Sequence, residues 1–289
     1  MRYGILILAL GYDVYGSCAY NLALSLKAND PHVRVCILHD GLSIKHLSEK
    51  ELSVFDIKTQ IANDDFIIGS IRHYFRAKLL LNKYSPFEYT IYMDADNIWL
   101  PDKKPSWLLG EIINNDFLIG SNGEYDVNTQ KSSASNKYPF WGDPLEVAKY
   151  WGIKGFLPQT VSGFMAFRKG TETDKIFALA LNAYDDEKAP GKVWVNGKSD
   201  EYCFNVAMGI LGIKQGKISV FYFDRLDGDK SPEDIYKNYW GIATGGNKVS
   251  HNVVILYNRL VNKYSIMKGM ESRHYHKDKV DHIPERKKT

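Results

Sequence analysis

The sequence predicts an α/β fold in one domain, with a mainly parallel, mixed sheet flanked by helices. Through the first hundred residues, short apolar runs of strand length alternate with segments whose apolar residues recur at helical spacing. Parallel strands need a crossover connection, usually a helix, so this alternation is typical of a parallel sheet covered by helices. The length of 289 residues suits one large domain, and no stretch has the composition of a linker.

The first part of the chain supplies four predicted strands and two predicted helices. Tyr3–Ala9 and Tyr89–Met93 are apolar runs without an internal charge. Ser17–Asn29 and Arg72–Tyr84 are predicted helices because their apolar residues lie at positions i, i+3, i+4 and i+7. Pro86 follows the second helix and ends it. The other two predicted strands are Val33–Leu38 and Phe55–Ile61.

The second part of the chain begins with a polar stretch, residues 123–142, that predicts a loop. Val161–Phe167 is the next predicted strand, and Val253–Tyr257 is a late one. Between them, Thr173–Tyr184 and Ser199–Leu211 have the apolar spacing of helices.

Bulk composition gives no support to several classes of function. A net charge of +3 and a pI near 8.5 are too mild to indicate a nucleic-acid or membrane surface. The three cysteines, Cys18, Cys36 and Cys203, form neither a metal pattern nor a disulfide framework, which favours a reducing, cytoplasmic location. No stretch approaches the roughly 20 apolar residues that span a bilayer.

Two carboxylates, Asp94 and Asp96, end the predicted strand Tyr89–Met93. In parallel sheets, ligands bind beyond the carboxyl ends of the strands. Two negative charges so close together repel unless a cation lies between them, and Mg²⁺ or Mn²⁺ takes oxygen ligands that it shares with substrate phosphates. The pair therefore predicts a divalent cation site, and the alternative interpretation is a pair of ordinary turn aspartates.

The segment Met93–Asp96 resembles the DxD signature of nucleotide-sugar-dependent glycosyltransferases of the GT-A fold. The resemblance is greatest to the retaining group that contains the glycogenin-like and lipopolysaccharide-galactosyltransferase-like enzymes. Other landmarks of that group occur in the same order over roughly residues 1–210. These landmarks are Tyr15, Lys78, Ser162, Gly163, Asp200 and Glu201.

The resemblance implies a role for each landmark. Tyr15 is expected to stack on the uracil of the donor. Lys78, sixteen residues before the first aspartate of the signature, is expected to reach the donor phosphates. Ser162 and Gly163 are expected beside the sugar, and Asp200 and Glu201 near the carbon that is transferred.

Some of these residues also have a purely structural interpretation. Lys78 suits the surface of a helix, where a lysine extends its ammonium to water. Asp200 and Glu201 follow Ser199 at a predicted helix start, where serine caps and acids are favoured by the helix dipole.

The sequence departs from the family pattern at three places. Val161 stands where the family has an asparagine, and Glu201 replaces a glutamine. The late predicted strand carries a leucine where the family places a metal-binding histidine. The nearest substitutes are His274 and His276, between which the sequence does not choose, and His251 is a weaker candidate.

The resemblance implies a metal-dependent glycosyltransferase that uses Mn²⁺ or Mg²⁺ and a UDP-linked or other nucleoside-diphosphate sugar, with retention of configuration. Residues 1–120 would bind the donor, residues 121–264 would face the acceptor, and residues 265–289 would form a C-terminal segment with a basic tail. The expected acceptor is a saccharide or a lipopolysaccharide, with a modified DNA base as a further alternative.

Two other functions stay open at the level of sequence. One is a non-catalytic module that binds nucleotide sugars or glycans. The other is a nucleotidyltransferase that forms nucleotide sugars. That class usually has a glycine-rich, arginine-containing loop after the first strand, whereas residues 10–16 contain no arginine.

Overall fold

The structure, a computed structural model, describes residues 2–112, 114–133, 140–194, 196–214, 220–222, 230–244 and 251–264. The strands are β1 (Tyr3–Ala9), β2 (Val35–His39), β3 (Ile57–Gln60), β4 (Ile67–Ile68), β5 (Ile71–Arg72), β6 (Tyr89–Asp94), β7 (Asn97–Trp99), β8 (Phe117–Asp126), β9 (Lys131–Ser132), β10 (Phe156–Arg168), β11 (Val193–Trp194), β12 (Gly197–Lys198), β13 (Phe221–Tyr222) and β14 (Gly241–Ala243). The helices are α1 (Asp13–Asn29), α2 (Glu49–Leu52), α3 (Asn63–Phe66), α4 (Tyr74–Lys78), α5 (Leu81–Tyr84), α6 (Pro105–Ile112), α7 (Pro144–Trp151), α8 (Thr171–Asp185), α9 (Asp200–Leu211), α10 (Pro232–Asn238) and α11 (His251–Tyr264).

The central sheet has the strand order β3-β2-β1-β6-β10-β8-β9. Strands β3, β2, β1 and β6 are parallel, while β10 is antiparallel to both β6 and β8. Strand β8 therefore runs in the same direction as β6. The predicted mainly parallel, mixed sheet is confirmed.

Each face of this sheet carries its own hydrophobic core, because successive side chains of a strand point to opposite faces. On β6, Ile91 and Met93 lie in the core that also contains apolar residues of α1 and α11. Tyr92, between them, lies in the opposite core with residues of α4, α7, α8 and α9. This alternation directs Tyr92 and Asp94 toward the face covered by α4 and α9.

The predicted late strand, Val253–Tyr257, is wrong: these residues belong to helix α11. An apolar run of this length fits a buried strand or a buried helix equally well, so its composition alone does not decide. In the structure the buried residues of the segment follow the i, i+3, i+4, i+7 helical spacing. These are Val253, Leu256, Tyr257 and Leu260.

The predicted helix Arg72–Tyr84 is interrupted. The structure has two short helices, α4 and α5, separated by a turn at Leu79 and Leu80. Both of these leucines are buried, as are Ala77 and Leu81. Consecutive residues of an unbroken helix point in different directions, so they cannot all face the core. The turn between α4 and α5 lets Leu79, Leu80 and Leu81 all be buried.

The other predicted elements are present with shifted ends. Helix α1 begins at Asp13, four residues before the predicted start, and β10 begins at Phe156, five residues early. The polar stretch 123–142 is partly ordered as strand, because the end of β8 pairs with β9. Within the described ranges, no helix is both long enough and apolar enough to cross a membrane.

Candidate active site

A cleft of about 490 Å³ opens at the carboxyl ends of β1 and β6. Helix α1 supplies one wall, and the segment from Arg72 through α4 supplies the other. This is the edge at which parallel α/β sheets bind ligands. The lining includes Leu8, Leu10, Tyr12, Tyr15, Arg72, His73, Tyr74, Lys78, Tyr92, Asp94, Asp96, Tyr184, Asn196 and Gly197.

The loop between β1 and α1 is fixed by Asp40, a buried residue that directly follows β2. Asp40 Oδ2 accepts the Gly11 N–H at 2.9 Å. Its Oδ1 accepts the N–H groups of Leu42 and Ser43 at 3.1 and 3.0 Å. Gly11 has a φ of 87°, and a Cβ there would lie 2.8 Å from the Tyr74 ring, so only glycine suits this turn.

Tyr15 lies in the first turn of α1 and lines the cleft, with 36% of its surface exposed. Burial of the hydroxyl, followed by the negative charge of Asp96, raises the pKa of Tyr15 to about 12. The phenol is therefore neutral at physiological pH, and its ring offers a surface on which a planar base can stack.

The opposite wall is attached to helix α8 by two contacts. Nδ1 of His73 and the Tyr184 hydroxyl share a hydrogen bond of 2.9 Å. Arg76 forms a two-pronged ion pair with Asp185, with both N···O distances at 2.9 Å. Arg76 therefore supports the wall from outside the cleft, and Lys78 points into it.

At the floor of the cleft, Asp94 is the last residue of β6 and Asp96 lies in the turn before β7. Burial, followed by the charge of Asp94, raises the pKa of Asp96 to about 7, and the nearby Lys78 opposes this shift. The charge of Asp94 contributes to this shift, and a divalent cation bound between the two carboxylates would offset their repulsion.

The backbone of this turn is held by two residues that the sequence did not indicate. The carbonyl of Asp96 accepts two hydrogen bonds from Thr244, one from its N–H and one from its Oγ1, each at 2.7 Å. The Asn97 amide donates to the carbonyl of Asp94 at 2.8 Å. Thr244 directly follows β14, which pairs with β7, so its position depends on a strand pairing of distant residues.

Lys78 is the centre of the charged network. Its Nζ lies 2.8 and 3.1 Å from the two carboxylate oxygens of Asp94 and donates to Ser162 Oγ at 3.3 Å. It also lies 3.2 Å from Asp200 Oδ2, in an ion pair without hydrogen-bond geometry. Burial opposes the charge, but Asp200 and Asp94 hold the pKa of Lys78 well above its ordinary value. The side chain is 13% exposed, so the surface-lysine interpretation does not apply.

Ser162 and Gly163 lie in a bulge of β10. Val161 is opposite Gly120 of β8, but the next paired residue of β10 is Met165, opposite Ile119. The intervening residues of β10 are unpaired on that side, and such bulges redirect side chains. The bulge brings the Ser162 hydroxyl to Lys78.

Asp200 and Glu201 begin helix α9, and Ser199 caps the helix by accepting the Glu201 N–H. The structural interpretation of this pair, as acids at a capped helix start, is therefore compatible with a functional one. Asp200 is directed toward Lys78, whereas Glu201 contacts Trp141 and the backbone of Ser162. The two neighbouring acids thus have different surroundings.

The structure tests only one of the three histidines proposed as further metal ligands. His274 and His276 lie outside the described residues. His251 is the first residue of α11, exposed, and absent from the cleft lining. Among the residues that the structure describes, no three His, Cys, Asp or Glu side chains form a metal-binding group.

Several aromatic side chains beyond β8 are engaged in packing. Phe140 contacts Tyr125 edge to face, and the Trp151 indole N–H donates to the Tyr202 hydroxyl at 3.0 Å. Tyr150 is 46% exposed, and its hydroxyl donates to Asp186.

Comparison with known proteins gives similar folds without a sequence match. No family model matches the chain, and no curated protein matches it. The crystal structure of an active-site mutant of LgtC is similar with a TM-score of 0.50 and 13% identity, over 90% of this chain and 95% of that one.

Two other solved structures have slightly lower scores. The galactosyltransferase LgtC, in complex with donor and acceptor sugar analogues, has a TM-score of 0.49 and 13% identity, over 90% of this chain and 95% of that one. Mouse xyloside xylosyltransferase 1 in its apo form has a TM-score of 0.48 and 11% identity, over 84% and 97%. The likeness to the LgtC mutant concerns the fold, and it confirms the predicted GT-A glycosyltransferase fold.

Proposed function

We propose that this protein is a metal-dependent glycosyltransferase that moves a sugar from a nucleoside-diphosphate sugar, UDP-linked by the family resemblance, to an acceptor. The observation that carries the proposal is the position of Asp94 and Asp96. They lie at the floor of a cleft between an aromatic wall with Tyr15 and a cationic side chain, Lys78. The cleft lies at the ligand-binding edge of a GT-A fold.

The aromatic wall suits the base of the donor. Tyr12 and Tyr15 both line the cleft at the start of α1 and are the most exposed aromatic side chains there. Stacking on such rings tolerates any base. The rings do not select a base, so the proposed preference for uracil rests on the family resemblance alone.

Asp94 and Asp96 would hold Mn²⁺ or Mg²⁺. Both supply carboxylate oxygens, the ligand type that these hard cations prefer, and both line the same cleft. When bound, the cation neutralises the charge of the diphosphate as it leaves.

Asp200 is the proposed catalytic carboxylate. It is 3% exposed and fixed against Lys78, so its charge acts in a site from which water is largely excluded. A carboxylate so placed would stabilise the positive charge that develops on the sugar when the diphosphate departs. Lys78, whose Nζ lies 3.2 Å from Asp200 Oδ2 and 2.8 Å from Asp94, would hold these two carboxylates close to each other.

A saccharide or a lipopolysaccharide is the proposed acceptor, retention of configuration the proposed outcome, and the cytoplasm the proposed location. These proposals rest on the resemblance to the retaining family and on the cysteine content. A DNA base receives little support from a net charge of +3.

A non-catalytic nucleotide-sugar-binding module is the second candidate. Two departures from the family pattern favour it: Val161 stands in place of an asparagine, and leucine stands in place of the metal-binding histidine. A binding module would take up the nucleotide sugar without consuming it.

A donor-hydrolysis screen separates these functions. UDP-, GDP- and CMP-sugars would be incubated with the protein, with and without Mn²⁺, and release of the nucleotide measured. We expect metal-dependent turnover of one donor, and a loss of about a hundredfold or more in Asp96→Asn.

Asp102→Asn is the matched control for this screen. Asp102 accepts the Tyr236 hydroxyl outside the cleft, so its replacement should leave turnover intact. Binding of a donor without turnover would favour the binding module. Turnover that is equal in Asp96→Asn and the wild type would refute the metal site.

A further inference from the structure

The side chain of Glu201 accepts hydrogen bonds at both carboxylate oxygens. Oε2 accepts the indole N–H of Trp141 at 2.6 Å, and Oε1 accepts the backbone N–H of Ser162 at 3.4 Å. The residue is 6% exposed, so these bonds form where water competes little. Glu201 therefore connects the segment between β9 and α7 to the bulge of β10.

Trp141 occupies its position under conformational strain. Its φ is 58°, in the left-handed region that a bulky side chain rarely adopts. The Trp141 carbonyl accepts the Lys192 N–H at 2.8 Å, while the indole is held by Glu201. Strained backbone persists only where the surrounding contacts hold it in place. The backbone of Trp141 is held through its carbonyl, and its side chain is held through the indole N–H.

The connection continues into the charged network. Ser162, whose N–H donates to Glu201, accepts the Lys78 ammonium through its Oγ. Lys78 in turn pairs with Asp94 and Asp200. An unbroken series of contacts therefore runs from the Trp141 indole to both acids of the proposed reaction centre.

We propose that Trp141 and Glu201 are positioning residues that fix the Ser162–Gly163 bulge, and with it Lys78, for sugar transfer. This inference rests on the proposed function and deepens it. It gives Glu201 a role different from that of Asp200: a carboxylate whose oxygens are directed at protein donors orders the site and does not attack or protonate the sugar.

The donor pattern also explains why a carboxylate suits position 201. A glutamate accepts at both oxygens, whereas a glutamine presents one NH₂ group, which is a donor only. With glutamine at this position, either the Trp141 indole N–H or the Ser162 N–H would face another donor. Glu201→Gln, which preserves the shape, therefore tests the hydrogen-bonding pattern and not the packing.

The experiment compares three full-length variants with the wild type. Trp141→Phe removes the indole N–H and keeps an aromatic ring. Glu201→Gln changes one acceptor into a donor. Trp151→Phe is the matched control, because it removes another indole N–H that donates to α9, at the Tyr202 hydroxyl and not at the Glu201 carboxylate.

For a donor that the wild type turns over, kcat is expected to fall about tenfold in Trp141→Phe and Glu201→Gln, with the donor KM nearly unchanged. Trp151→Phe should keep the wild-type kcat even if its melting temperature falls. Unchanged kcat in Trp141→Phe, or an equal fall in Trp151→Phe, would overturn the proposal.

A second measurement does not depend on activity. Amide hydrogen exchange over residues 156–168 should become faster in Trp141→Phe and Glu201→Gln, and stay slow in Trp151→Phe. If the wild type turns over no donor, the proposed glycosyl transfer fails, and this measurement alone decides whether Trp141 and Glu201 fix the bulge. Unchanged exchange in both variants would then refute the positioning role.

Discussion

Thr244 holds the backbone carbonyl of Asp96 from 148 residues further along the chain, through its N–H and its Oγ1. Thr244 is fully buried, and it directly follows the strand that pairs with the residues after the Asp94–Asp96 turn. The geometry of the proposed metal site therefore depends on the C-terminal part of the fold.

Thr244→Val should weaken this support without changing the shape of the side chain. It removes the hydroxyl donor and keeps the backbone N–H bond to Asp96. We expect the free energy of unfolding, measured in urea, to fall by about 1 kcal/mol. Affinity for Mn²⁺, measured by calorimetry, should fall as well.

Thr244→Ser is the control for this prediction, because it keeps the hydroxyl and loses only a methyl group. It should retain Mn²⁺ affinity. Equal Mn²⁺ affinity in Thr244→Val and Thr244→Ser would show that the hydroxyl does not organise the turn.

Lys78→Met should destabilise the protein strongly. The substitution leaves Asp94 and Asp200 without their shared cation in a buried place, and breaking such a pair costs about 3 to 5 kcal/mol. Urea unfolding at pH 7 measures the loss.

Lys83→Met provides the comparison for Lys78→Met. Lys83 pairs with Asp65 but is 56% exposed, and surface pairs contribute about 0 to 1 kcal/mol. Similar losses of unfolding free energy in the two variants would show that the buried ion pairs of Lys78 contribute no more than an exposed pair.

Asp56 makes stability depend on pH. Burial alone would raise its pKa, but Lys27, the Val35 N–H and Arg34 together lower it below the usual 3.8. Because the pKa is lower in the folded state, the stabilising contribution is present above the unfolded value and is lost as the pH falls through the folded one.

Asp56→Asn should therefore be less stable than the wild type by about 1 to 2 kcal/mol at pH 7. The difference should narrow as the pH falls below the ordinary aspartate pKa of 3.8, in thermal unfolding followed across a pH series. Glu172→Gln, which alters an exposed i,i+3 pair with Lys175, is the control and should show no such trend. A difference that stays constant with pH would refute the electrostatic origin.

Asp40→Asn tests the loop that shapes the aromatic wall. The variant keeps the oxygen that accepts from Leu42 and Ser43, but turns an NH₂ group toward the Gly11 N–H. We expect the free energy of UDP binding, measured by calorimetry, to weaken by more than the free energy of unfolding, because the substitution alters the turn that leads to Tyr15.

Asp40→Ala removes all three hydrogen bonds and should cost about 2 to 3 kcal/mol of stability in addition. Unchanged UDP affinity in Asp40→Asn would show that the conformation of this loop does not affect nucleotide binding.

Local sequence patterns predicted the elements whose apolar periodicity is unambiguous. The strand that ends at Asp94 is continuously apolar, and the helices that begin near Thr171 and Asp200 have regular apolar faces, so each was predicted within a few residues. The segment Val253–Tyr257 was mistaken for a strand because a short apolar run satisfies both periods. The helical spacing of its buried residues, which continues to Leu260 and packs on the core that contains α1, identifies it as a helix.

Local patterns suffice to predict the mainly parallel α/β sheet, the two aspartates at the tip of β6 and the residues that resemble a glycosyltransferase family. They suffice because apolar periodicity and short motifs involve residues close together in the chain. Folding alone brings Lys78 to Asp94 and Asp200, Thr244 to the Asp96 carbonyl, Asp40 to the Gly11 N–H, and Glu201 to the Trp141 indole. These are contacts between residues far apart in the chain, which strand pairing and helix packing bring together and no local pattern encodes.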